Sequence, residues 1–195
     1  MAVTSVTLLD RLRDPADSKA WERFDHLYRP FIFNWLRRQS LQPEDAEDLT
    51  QDVMTTLIQE LPRFHYDKQR GSFRSWLLKI AMNRLAGFWR SRRGHAAATG
   101  GTDFQQLLND LQDQNSQASQ LWNAEHDRHV TSRLLEMIEP EFEPTTWQAF
   151  RRVAIDGEKP AVVATELGMT VNAVTIAKHR VIRRLRQEIA GLTEL

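Results

Sequence analysis

Between Gly71 and Gly94 the chain carries Arg74, Lys79, Arg84, Arg90, Arg92 and Arg93 without a single acid. Aromatic residues interleave them: Phe73, Trp76, Phe88 and Trp89, with Phe64 and Tyr66 just upstream. Single-stranded nucleic acid asks for this combination, because cations neutralise its phosphates while unstacked bases find π-faces. The polar loop Asp67–Arg70, which includes Lys68, could complete a pocket for a base turned out of its stack. The same residues also read as a basic surface over an aromatic core. Phe73 and one of Trp76 and Leu77 must face inward on any helical wheel.

A second constellation lies in the last quarter. Pro160–Leu167, Gly168-Met169-Thr170 and Val171–Ala190 read as helix, tight turn and basic helix. Ala164, Gly168 and Val174 supply a small residue where two helices touch, a turn residue tolerant of left-handed backbone, and an apolar seat. Lys178, Arg180, Arg183, Arg184 and Arg186 then follow with no acid before Glu188. A helix so charged, after such a turn, suits a DNA groove. Val174, Ala177, Val181, Leu185 and Ile189 form its inward face. Asn172, Thr175, Ile176, His179, Arg180 and Arg183 line the other, with Thr170 at its start. Asn and Arg can read base edges, while Lys178 and Arg184 are better placed for phosphates.

A third set is acidic. Asp45, Asp48, Asp52, Thr55 and Gln59 recur at threes and fours opposite a leucine stripe. Two readings stay open for it: a solvated face that satisfies the helix dipole, or a docking surface for a basic partner. No His or amide converges on these carboxylates, so no metal is expected. His126 and His129, three apart, read as a solvated helix start. No Ser/His/Asp or Cys/His arrangement and no Gly-rich phosphate loop is present, so neither catalysis nor a cofactor is expected.

The elements that must position these groups are helical, since no segment alternates at period two. Thr7–Arg13 is a short helix. Ser18 is the expected cap of the next, whose Trp21, Phe24, Tyr28, Phe31, Ile32 and Trp35 share a face and whose Pro30 predicts a kink. A third helix starts at Pro43 and stops at Pro62, with Leu49, Val53, Leu57 and Leu61 buried. A fourth follows Ser72, with Phe73, Leu77, Ile80, Ala81 and Leu85 inward.

The 195 residues are 41% hydrophobic and of zero net charge, but the charge is uneven. Residues 1–95 hold 16 Lys/Arg against 12 Asp/Glu, residues 96–127 hold five acids and no base, and residues 128–195 hold ten bases against nine acids. The middle is also rich in Gln, Asn, Asp and Ser, which predicts a flexible acidic linker. The expected organisation is all-α: a helical bundle over 1–94, a linker over 95–127 and a helix-turn-helix domain over 128–195. Cysteine is absent, which excludes disulfides and thiolate metal sites. No apolar run approaches membrane-spanning length and Met1–Asp10 lacks a secretory pattern, so a cytoplasmic location without membrane contact is expected.

Taken together, DAEDLTQDVMTTLIQELPRF (45–64), GSFRSWLLKIAMNRLAGFWRSRRG (71–94) and TWQAFRRVAIDGEKPAVVATELGMTVNAVTIAKHRVIRRLRQEI (146–189) resemble a bacterial sigma factor. The resemblance is to the extracytoplasmic-function (ECF) group of the sigma-70 family. The first two stretches are similar to the family's second domain and the third to its fourth. The resemblance implies a subunit without catalysis of its own that binds core RNA polymerase, recognises two promoter elements and supports melting and initiation. It implies that Asp45, Asp48, Gln51 and Asp52 grip the clamp helices of the polymerase's largest subunit, with the flap as a second contact. It assigns Lys68, Arg74, Trp76, Asn83, Arg84, Trp89 and Arg90 to the non-template strand of the downstream element. Thr170, Asn172, Thr175, Lys178, His179, Arg180 and Arg183 fall to the upstream duplex. An anti-sigma factor is a candidate further partner. Gly87 departs from the family's pattern, in which an Asp often stands, and a helical Gly predicts a bend. The rival reading is a stand-alone helix-turn-helix regulator whose N-terminal bundle is a dimerisation or ligand module.

Overall fold

The computed structural model describes residues 8–63, 73–93 and 116–189, and among these every regular element is helical. In chain order they are α1 (Leu8–Arg11), α2 (Ser18–Arg37), α3 (Pro43–Glu60), α4 (Phe73–Arg93), α5 (Gln117–Ile138), α6 (Pro144–Ala154), α7 (Pro160–Leu167) and α8 (Val171–Ile189). Single 3-10 turns follow α3 at Leu61–Arg63 and α5 at Glu139–Glu141. Contacts divide the chain between Val130 and Thr131 into two compact units. No single helix among the described residues is long and apolar enough to cross a membrane.

The first unit is built on aromatic stripes. Phe24, Leu27, Tyr28, Phe31, Ile32 and Trp35 of α2 are buried, as are Leu49, Val53 and Leu57 of α3 and Phe73, Leu77, Ala81 and Leu85 of α4. The rings meet edge-on or tilted: Phe24 and Tyr28 at 4.8 Å between centroids, Tyr28 and Phe73 at 5.4 Å. Large residues at threes and fours leave each helix one apolar face, and a bundle covers them all. The expected inward faces of these three helices are therefore observed, Trp21 being only part-buried.

Two local expectations change, the end of α1 and the cap of α2. α1 ends at Arg11 rather than Arg13, and Arg11 donates two bonds of 2.9 Å to Asp17, while Thr7 lies outside the described residues. Asp17, rather than Ser18, caps α2, its carboxylate accepting from the Ala20 amide at 3.0 Å. Hydrogen bonds from Arg11 and the Ala20 amide hold Asp17 below its ordinary pKa of 3.8. α2 is an unbroken helix through Pro30. The carbonyl that Pro30 leaves without a helical donor belongs to His26, an exposed residue, where water can serve it. α4 likewise runs unbroken through Gly87.

The largest difference concerns the expected linker. Residues 94–115 lie outside the described residues, but 117–127 are helical and the expected boundary at 127/128 falls inside α5. Trp122, His126 and Val130, four apart, are buried, and Trp122 packs against Phe31 at 4.8 Å and Trp35 at 5.1 Å. His126 is fully buried and His129 part-buried, so neither opens a solvated helix. The polar residues of α5 hid this stripe, because His126 stands at one of its buried positions.

The second unit has two adjoining cores. Ala149, Val163, Ala164, Val174 and Ala177 form one, with Val153, Leu167 and Met169 against it. Ile138, Trp147, Phe150 and Val181 form the other, edged by Leu135, Phe142, Ile182 and Leu185.

Candidate nucleic-acid and partner interfaces

The turn that aims α8 is built from three sequence features. Gly168 adopts φ 65° and ψ 29°, a left-handed conformation that costs any residue with a Cβ roughly 1–2 kcal/mol. The Met169 amide then donates to the Ala164 carbonyl at 2.8 Å, closing the end of α7. Thr170 starts the next helix, its Oγ1 accepting from the Ala173 amide at 3.1 Å. The two helices are bent by 104° across this turn, within the range of DNA-binding helix-turn-helix units. Ala164 and Val174 are buried where α7 and α8 meet, as their types predict.

On α8 the inward face is Val174, Ala177, Val181 and Ile189 with Leu185 part-buried, leaving Asn172, Thr175, Ile176, His179, Arg180 and Arg183 exposed. Lys178 is part-buried. Thr175 donates its hydroxyl to the Val171 carbonyl at 3.0 Å, which leaves its oxygen as an acceptor only. Arg184, expected to meet phosphate, is corrected to a structural role. It grips Glu141 with bonds of 2.6 and 2.8 Å and also pairs with Glu188. Hydrogen bonding to Glu141, against some loss of hydration, raises its pKa further. Arg152 does similar work before the turn, joining Glu158 and Glu166 and so fastening α7 to the end of α6.

In the first unit, Asp48, Gln51, Asp52, Thr55 and Gln59 of α3 are exposed, as their spacing predicts. Asp45 is less open, because Arg92 at the end of α4 donates to its carboxylate at 2.8 Å. Gln51 accepts from Arg29 at 3.1 Å, and Arg29 also binds Asp25 and lies 3.6 Å from Glu47. The ridge is thus partly neutralised at its margin, and Asp48 and Asp52 carry its exposed charge. The pairing of Arg92 with Asp45 and of Arg29 with Gln51 went unrecognised in the sequence because 47 and 22 residues separate the partners.

The basic-aromatic residues of α4 divide by face. Lys79, Asn83 and Arg90 are exposed, with part-buried Trp76 on the same side by helical period. Lys79 thereby joins the predicted set. Arg84 is exposed but directed at α3, donating to Thr56 Oγ1 at 2.7 and 3.0 Å. Trp89 is part-buried and meets Phe88 edge-on at 5.3 Å, while Arg92 stacks 4.7 Å over Phe88. Arg74 is a correction. It is buried and held by Asp127 of α5 at 2.8 and 2.9 Å, removed from any strand passing over the surface. Lys68 and the loop around it lie outside the described residues.

Behind Arg74 runs a buried polar chain. His126 Nδ1 lies 3.1 Å from the Asp127 carboxylate, and His126 Nε2 lies 3.4 Å from the Tyr28 hydroxyl. The carboxylate selects the tautomer with the proton on Nδ1, so Tyr28 donates to Nε2. Burial depresses the His126 pKa, only partly countered by Asp127. Burial also pushes Tyr28 up, and it stays protonated as a donor. Asp127 is pulled upward by burial, but hydrogen bonds from His126 and Arg74 outweigh this and hold it below 3.8. His129 adds a bond to the Leu27 carbonyl at 2.8 Å. Among the described residues no group of His, Asp or Glu is arranged to hold a metal ion.

Residues 24–95 match the family model "Sigma-70 region 2". Over 80 residues the chain is 35% identical to "ECF RNA polymerase sigma factor RpoE" of Cereibacter sphaeroides, a match covering 40% of this chain and 42% of that protein. The stretch matched by the family model holds α3, α4 and most of α2, and with them the acidic ridge and the basic-aromatic row. Through this region the chain is similar to sigma-70 region 2 and to a sigma factor of the extracytoplasmic-function group, and it spans less than half the length of that relative.

Proposed function

We propose that this chain is an ECF-type sigma factor that directs core RNA polymerase to promoters with two elements and supports their melting. One observation carries the reading: a single chain holds a sigma-70 region 2 and, C-terminal to it, two helices bent by 104° about a left-handed glycine with a polar, cationic outer row. In this reading Asp48 and Asp52, with Asp45 and Gln51 beside them, dock on basic clamp helices of the polymerase's largest subunit. Trp76, Lys79, Asn83 and Arg90 track the non-template strand, with Trp89 as a stacking face. The outer row of α8 reads the upstream element as duplex while the second unit meets the flap. Capture of unstacked bases supplies the free energy that holds the strands apart. The polymerase performs the chemistry. Bacterial cytoplasm is the compartment this requires, and an anti-sigma factor is the natural restraint.

Run-off transcription tests the reading. Purified chain and bacterial core polymerase, given fragmented genomic DNA of the source organism, should yield discrete new starts that share two upstream motifs. Tight duplex binding by the chain alone, without new starts, would instead support a stand-alone regulator.

A further inference from the structure

Two large apolar residues of α8 are exposed, Val171 at its first position and Ile176 in its second turn. Ile176 is 50% exposed, whereas Val174, Ala177 and Val181 of the same helix are buried in the two cores of the second unit. By helical period it shares one outward row with Asn172, His179 and Arg183, flanked by Thr175 and Arg180. A large β-branched side chain in the second turn of a groove-entering helix adds nothing to the hydrophobic core. It leaves apolar area in water until something covers it. The edges of base pairs in the major groove offer one apolar group, the C5 methyl of thymine. Thr175 beside it has spent its hydroxyl proton on the Val171 carbonyl, so it adds no donor competing for that spot.

We propose that Ile176 is the thymine-reading residue of α8, packing on a thymine methyl in the upstream element and making a thymine preferred there. The inference rests on the sigma-factor reading and deepens it. Asn172 and His179 on either side read polar base edges, and Arg180 and Arg183 hold the backbone or a neighbouring guanine. The contact is a specificity device rather than a source of bulk affinity, which comes from the phosphates.

The experiment uses the full chain with core polymerase on promoters whose starts are already mapped. Each thymine of the upstream element is replaced in turn by uracil, which removes only the methyl, and the half-saturating holoenzyme concentration is measured. At one position the wild type should weaken about fourfold, the worth of one methyl taken out of water. Ile176→Ala should weaken by a similar factor on the thymine template and then be indifferent to uracil at that position. Ile176→Val should retain the discrimination. A wild type indifferent to every uracil, or an Ile176→Ala variant that keeps the thymine preference, would overturn the proposal. So would an upstream element without thymine, or an equal loss by Ile176→Ala on every template, which would mark a polymerase contact. Failure of the sigma-factor reading is a separate result: no discrete starts on any unmodified template.

Discussion

Arg74 at the start of α4 and Asp127 in α5 hold each other through bonds of 2.8 and 2.9 Å, across 53 residues of chain. The arginine is nearly buried, while its partner keeps an exposed edge. The pair joins the N-terminal end of the basic-aromatic helix to a segment whose composition reads as linker. It converts a residue of apparent nucleic-acid type into a structural one.

Breaking that pair should destabilise the first unit. Asp127→Asn leaves the guanidinium nearly buried against a neutral amide, and a loss of about 1–3 kcal/mol is expected. The urea midpoint of the full chain measures it. An unchanged midpoint would mean that the pair contributes nothing beyond what water supplies.

The buried histidine gives stability a pH dependence. His126 in the folded chain titrates below its ordinary value of 6.5, so the unfolded chain binds the proton first as pH falls. Its contribution is complete above about 6.5 and is lost as pH drops toward the folded value. Stability of the wild type should decline by about 1 kcal/mol for each pH unit within that window. His126→Phe should flatten the dependence there, and it also removes one of the two hydrogen-bonding partners that hold Asp127 below 3.8. Equal slopes in variant and wild type would assign the effect elsewhere.

Gly87 offers a gain. A Cβ there meets no atom within 4 Å, and the residue lies inside α4. Gly87→Ala should stabilise the chain by about 0.5–1 kcal/mol through the lower entropy of the unfolded state. A lower denaturation midpoint would show that the helix uses the flexibility of this glycine.

Gly168 is the opposite case despite equal space around it. Its φ of 65° strains any side chain, so Gly168→Val should cost about 2 kcal/mol and misalign α8. Duplex affinity should fall together with stability of the second unit. Retained affinity would argue that the bend is set by packing of Ala164 on Val174 alone.

The two surfaces should fail separately. Reversing Asp48 and Asp52 to Lys should weaken binding to core polymerase at least about tenfold and spare duplex affinity. Arg183→Ala should do the converse, with a loss of about 1–3 kcal/mol in upstream recognition. Unchanged co-elution of the reversed variant with core polymerase would remove the ridge from the interface.

What the amino-acid order by itself determined is local. The stripes of α2, α3 and α4 follow from apolar residues at threes and fours, and the bend before α8 from one left-handed glycine between a small and a branched residue. Each depends on neighbours within a few turns, where helical period alone decides what faces what. The docking of α5 was decided only in the tertiary structure, because Trp122, His126 and Asp127 find their partners on α2 and α4, up to 98 residues away. The same holds for Arg29, Arg84, Arg92 and Arg184, whose charge was plain but whose partners were not. A cation is free for phosphate or spent on a carboxylate according to what another helix brings beside it. Long-range packing settles that question, and periodicity carries no information about it.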